Sequence, residues 1–161
     1  MTKYLRILAA FVLAMVILFY PLSASAAKRA VAREQVSNKD FSGQSLIMSE
    51  FTKLNLENSN FSNADLRGVV FNGSTLVGAN LHGADFSNGI AYLVDFKGAD
   101  LSDANFTEAM MPYTTFEDVD ITGADFTNAV IDRLQQKRLC AVASGVNSQT
   151  GVSTRESLEC R

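Results

Sequence analysis

The stretch NADLRGVVFNGSTLVGANLHGADF, residues 63–86, decides the fold. Leu66, Phe71, Leu76, Leu81 and Phe86 are large, apolar and five apart, and Ala64, Val69, Ser74, Ala79 and Ala84 stand two residues before them. Outward from this stretch the beat continues without a slip from Phe41 to Ile131. Gly or Asn often follows two residues after each beat, as at Gly68, Gly73, Gly78, Gly83 and Asn88. A period of five fits neither a helix at 3.6 nor a plain strand at 2, so tertiary geometry must impose it. Such a period reads as a solenoid.

If each five-residue unit is one short side of a coil, the beat and the residue two before it both point inward, because alternate residues of an extended segment share a face. A narrow interior then takes one large and one small side chain per side. The following Gly or Asn falls at the corner, where these residues tolerate positive φ most cheaply. The early units are poor matches, with Lys39, Gln44, Ser49 and Leu54 at the small position, so the rod is expected to start irregularly.

The Ala-Asp/Asn-Leu/Phe pattern, seen in Ala64-Asp65-Leu66, Ala99-Asp100-Leu101 and Ala104-Asn105-Phe106, resembles the pentapeptide-repeat family over residues 39–133. The resemblance implies an all-β solenoid: a right-handed, quadrilateral β-helix of nearly five coils. At roughly 4.8 Å per strand spacing the rod would be about 23 Å long.

Residues 1–26 read as a cleavable signal peptide, with Lys3 and Arg6 ahead of the apolar run Ile7 to Tyr20 and a small-residue site at Ala24-Ser25-Ala26. The run is shorter than the ~20 residues that span a bilayer, so no stable membrane anchor is expected after cleavage. Loss of Lys3 and Arg6 from the 14 basic side chains leaves 12 against 17 acidic, a mature net charge of −5. That balance argues against nucleic acid as a ligand. Residues 27–38 form an N-terminal extension, either a short helix over the first coil or a tail.

After Ile131 the beat stops. Asp132 to Cys140 reads as a helix with Asp at its start and basic residues toward its end, and Leu134 and Leu139 are expected to lie over the last coil. Residues 144–151 have loop composition, and Ser153 and Glu156 match a capping box opening a final helical turn. Residues 134–161 thus form a helical cap. Cys140 and Cys160, the only cysteines, are expected to staple it as a disulfide in an exported protein, with a redox-active pair as the sharper alternative. The helix and the terminal cysteine pair are similar to the tails of pentapeptide-repeat proteins of the thylakoid lumen. With the simple bacterial signal layout, this resemblance implies a cyanobacterial lumen or a periplasm.

Catalytic parts are scarce. His82 is the only histidine and is expected outward among Ser62 and Ser102 as a solvated side chain. No Gly-rich phosphate loop opens a helix, and no serine is paired with a base in the sequence. No enzyme activity, cofactor or metal is expected. Asp and Asn before the beats, such as Asp40, Asn60, Asn80, Asp100 and Asp120, fit bonds to neighbouring backbone N–H groups better than a cation site. Some members of the family act as DNA mimics toward gyrase. Duplex DNA would carry roughly thirteen charges over 23 Å, so a net −5 imitates it thinly.

One face breaks the polar rule. Beside the beats Phe51, Phe71, Ala91, Met111 and Ile131 stand Val70, Ile90, Met110 and Val130 in outward positions, followed by Tyr92, Leu93, Pro112 and Tyr113. This apolar stripe is the candidate interaction site, to be covered by the chain's own termini, by a protein partner or by a homodimer. Ala91 is undersized for its beat, and Tyr92 or Leu93 is expected to bend inward to fill the gap. The function these features support is a non-enzymatic structural and protein-interaction module. A DNA-mimic inhibitor and a redox-responsive lumenal protein are the alternatives.

Overall fold

The structure is a computed structural model and describes residues 36–161. The signal peptide and nearly all of the N-terminal extension lie outside these residues. Among the described residues no helix is long and apolar enough to cross a membrane.

Every parallel pairing in the repeat joins residues twenty apart, as in Asp40↔Asn60, Asn60↔Asn80, Asn80↔Asp100 and Asp100↔Asp120. Four five-residue sides therefore make one coil, and each coil hydrogen-bonds to the next through the backbone. Three sides contribute isolated bridges only. The third contributes regular strands: β1 (Glu50–Thr52), β2 (Val70–Asn72), β3 (Ile90–Tyr92), β4 (Met110–Met111) and β5 (Val130–Ile131), stacked in that order as a parallel sheet.

Inside, the beats from Phe51 to Phe126 are buried together with Ala64, Val69, Ala79, Ala84, Ala99 and Ala104 at the small position. Phe126 stacks on Phe106 at 5.1 Å and Phe116 on Phe96 at 5.6 Å, each ring one coil above its partner. Ser59, Ser74 and Thr114 occupy the small position without penalty because each hydroxyl donates to a carbonyl of the coil below, those of Val36, Phe51 and Ala91. The coil begins one unit before Phe41: Val36 is buried on the beat and Asn38 already turns a corner at φ 58°. The irregular start is visible as exposure of Lys39 and Gln44 and partial exposure of Phe41 and Leu46.

All corners from residue 38 to residue 128 have positive φ, whatever residue stands there. Glycine fills some of them, but Met48, Lys53, Leu93, Glu108 and Tyr113 adopt φ between 53° and 58°. The ladder favours this, since the corner N–H groups from Asn38 to Glu108 are held by the coil above, as in Leu93 N–H to Pro112 O. Gly89 serves a different need. It has no positive φ, yet a Cβ there would lie 2.5 Å from the Phe86 ring. Phe86 therefore occupies the room left by Gly89. Tyr92 and Leu93 do not bend inward but stay exposed, which corrects the expectation from sequence.

Above the last coil run α1 (Arg133–Val142) and α2 (Thr154–Ser157). Leu139 of α1 is buried against the core, whereas Leu134 is 61% exposed and does not cover the coil as expected. Asp132 does not cap α1 with its side chain; the carboxylate instead accepts the Tyr113 N–H at 2.8 Å. At α2, Ser153 Oγ accepts from Glu156 N–H, as the capping-box pattern predicts.

Candidate functional site

The outer surface sorts by side. On the polar sides, the Asp and Asn before each beat accept the backbone N–H two residues on: Asp40 from Ser42, Asn80 from His82, Asp100 from Ser102 and Asp125 from Thr127. The same side chains bond between coils, as in Asn60 to Asp40 at 3.1 Å and Asn105 to Asp85 at 3.2 Å. Backbone N–H and hydroxyl groups of Ser42 and Thr122 hold the carboxyls of Asp40 and Asp120 below the ordinary aspartate value of 3.8. The Arg67 guanidinium does the same for Asp65, which it contacts at 2.7 Å. These acids stabilise corners, and they are consumed by that role. Among the described residues no group of three His, Cys, Asp or Glu is placed to hold a metal.

His82 sits closer to a hydroxyl than the sequence suggested. Its Nδ1 lies 2.8 Å from Ser102 Oγ, one coil above, and that hydroxyl donates to Asp100 Oδ1 at 2.6 Å. The order is His–Ser–Asp rather than Ser–His–Asp. With the serine proton directed to the carboxylate, the imidazole donates to the serine oxygen and cannot accept its proton, so the nucleophile is not activated.

The third side is different. Ile90, Tyr92, Leu93, Met110, Tyr113 and Val130 are between 37% and 64% exposed, and Val70 and Pro112 are half-buried. The pairings Val70↔Ile90, Ile90↔Met110 and Met110↔Val130 place the four outward residues in one column. Tyr92 and Tyr113 flank it with edge-to-face rings 5.7 Å apart. Outward Val70, Ile90 and Val130 on these strands are β-branched and favour extended backbone, whereas the polar sides carry mainly Asp and Asn there, which strands disfavour.

The C-terminal cap lies elsewhere. Val146 and Ser153 pair as a short antiparallel bridge whose loop descends the corner formed by Gly83, Asp103 and Gly123. Asn147, buried, donates to the carbonyls of Asp103 and Gly123 at 3.0 and 2.9 Å, while its Oδ1 accepts from Gln149 and Thr150 N–H. Ser148 bonds the Asp103 carboxylate through backbone and hydroxyl. Close approach needs Gly145, where a Cβ would lie 2.7 Å from the Gly123 nitrogen. Cys140 and Cys160 form the expected disulfide, joining the end of α1 to the chain terminus. Asn147 was not legible in sequence, since nothing local marks a loop Asn as a buried anchor.

The match to the model "Pentapeptide repeats" covers eight copies at residues 49–88 and 93–128. A crystal structure of a pentapeptide repeat protein from the Arabidopsis thaliana thylakoid lumen is 38% identical, over 81% of this chain and 92% of that one, with a TM-score of 0.58. A pentapeptide repeat protein from Nostoc PCC 7120 is 21% identical over 63% of this chain and 81% of its own, with a TM-score of 0.46. QnrB1, a plasmid-mediated fluoroquinolone resistance protein, is 21% identical over 57% of this chain and 52% of its own, at 0.29. The last two scores carry no argument. A comparison with curated proteins returns no match. The coil of four five-residue sides, the repeat match and the likeness to the Arabidopsis protein agree: this chain belongs to the pentapeptide-repeat family.

Proposed function

We propose that this protein is a non-enzymatic interaction module, exported to the thylakoid lumen or periplasm, that presents the Val70 to Val130 stripe to a protein partner. One observation carries the reading. A parallel sheet is normally covered on both faces, and here the inner face lies on the core while the outer face bears an apolar column that the described cap leaves bare. Leu93 and Tyr113 strengthen it. Each is a bulky, exposed side chain held at positive φ where Gly or Asn would cost about 1 kcal/mol less. The lumenal setting is supported by the signal-like N-terminus and by the Arabidopsis likeness.

Charged substitution of Ile90 and Met110 tests this. In protein recovered from the exported fraction, Ile90→Asp with Met110→Asp should abolish crosslinked association while the melting transition is retained. Unfolding of the variant, or undiminished association, would sink the reading. Sequencing the mature N-terminus checks export, which requires a start near Ala27.

A further inference from the structure

We infer that the stripe docks a second copy of this chain, face to face and with the rods antiparallel. The inference rests on the proposal that the stripe binds protein, and it names the partner. The strands stack in one register at a spacing of about 4.8 Å. A two-fold axis running along the strands midway between β3 and β4 therefore lays Ile90 on the second copy's Met110, and Val70 on its Val130. The same rotation sets Leu93 against the second copy's Tyr113. Apolar residues thus meet apolar residues along the column, each pair occurring twice about the axis, as an isologous two-fold contact requires.

Charge selects the antiparallel arrangement. Residues 39–131 hold 13 acidic and 4 basic side chains, whereas residues 132–161 hold 3 acidic and 5 basic. A parallel pair would set one basic cap against the other. The antiparallel pair instead brings Glu50, one strand below Val70, to the level just beyond the second copy's Val130. There α1 begins with Arg133 and carries Lys137 one turn later. Among the described residues Glu50, Arg133 and Lys137 have no ion pair within the chain.

Size sets the strength. Five strands give a face of roughly 20 Å by 10 Å, well under the ~800 Å² per partner of a standard stable interface. The dimer is consequently weak and dependent on concentration.

Sedimentation of the protein as exported by the expressing cell, from ~5 to ~500 µM, tests this. The weight-average mass should climb toward twice that of the monomer. Glu50→Arg and Arg133→Glu should each weaken self-association about tenfold, and the two together should restore it, because only a symmetric antiparallel contact sees both reversals as a swap. A wild type that stays monomeric throughout, or a double variant as weak as the singles, overturns the inference. Melting curves confirm that each variant is folded, and Lys137→Glu replaces Arg133→Glu should that variant unfold. If a monomeric wild type still loses a crosslinked partner on Ile90→Asp, only self-docking fails. A dimer that Ile90→Asp does not split overturns self-docking through the stripe.

Discussion

Replacing Gly89 with alanine isolates the packing logic of the coil. The new methyl would lie 2.5–2.6 Å from three carbons of the Phe86 ring, where ordinary contact is about 3.5–4.0 Å. The ring must retreat by about 1 Å. Phe71 stacks on it at 5.6 Å and Phe106 meets it edge-on at 5.8 Å, so it has little room to do so. Overpacking of a dense core costs about 1–3 kcal/mol, offset in part by the ~0.4–1 kcal/mol that alanine gains through a less flexible unfolded chain. The expected net loss is about 1–2 kcal/mol. Phe86→Leu alone should also cost about 1–2 kcal/mol through lost burial. Together they should cost less than their sum by about 1 kcal/mol, since leucine vacates the space the methyl needs. Denaturant unfolding followed by circular dichroism, with unchanged m-values, measures the cycle. Gly98→Ala is the control: its φ is +65° and nothing lies within 4 Å of the added Cβ, so its cost comes from backbone alone and must not couple to Phe86. Additivity of Gly89→Ala and Phe86→Leu within about 0.3 kcal/mol, or a neutral Gly89→Ala, would refute the argument.

Asn147→Ala should cost about 2 kcal/mol by leaving buried carbonyls unpaired, and hydrogen exchange at Gly123 should accelerate as the cap loosens. Cys140→Ser with Cys160→Ser should lower unfolding stability by about 3 kcal/mol for a loop of this length while the cap stays docked through Leu139, Asn147 and Leu158, giving an unchanged far-ultraviolet spectrum at 25 °C. Asp40, Asp65 and Asp120 have folded values below 3.8, so their contribution is complete above the unfolded carboxylate range and is lost as pH falls through the folded values. The melting temperature should therefore be flat from about pH 8 to 5 and decline below about 4.

Much of the repeat was legible because its cause is local and iterated. One large and one small inward residue per side, written at Leu66 and Ala64 or Phe86 and Ala84, are read by counting. Val36 was missed because it lacks a small residue before it, with Glu34 in that place. The stripe residues could be assigned to one face from their twenty-residue spacing, but not their exposure, which depends on where the cap goes. Leu134 and Leu139 look alike in sequence, and only the docking of α1 decides that one is buried and the other is not.

What the sequence determined by itself was the coil, since a five-residue beat constrains every backbone unit in the same way and each coil needs only its neighbours. The tertiary structure alone decided three matters: that Phe86 claims the space of Gly89, that Asn147 anchors the cap to a corner 24 and 44 residues away in sequence, and that the sheet carrying Ile90 and Met110 is left bare by that cap. Each depends on contacts between segments that no local pattern links, so their energies appear only once the coils are stacked.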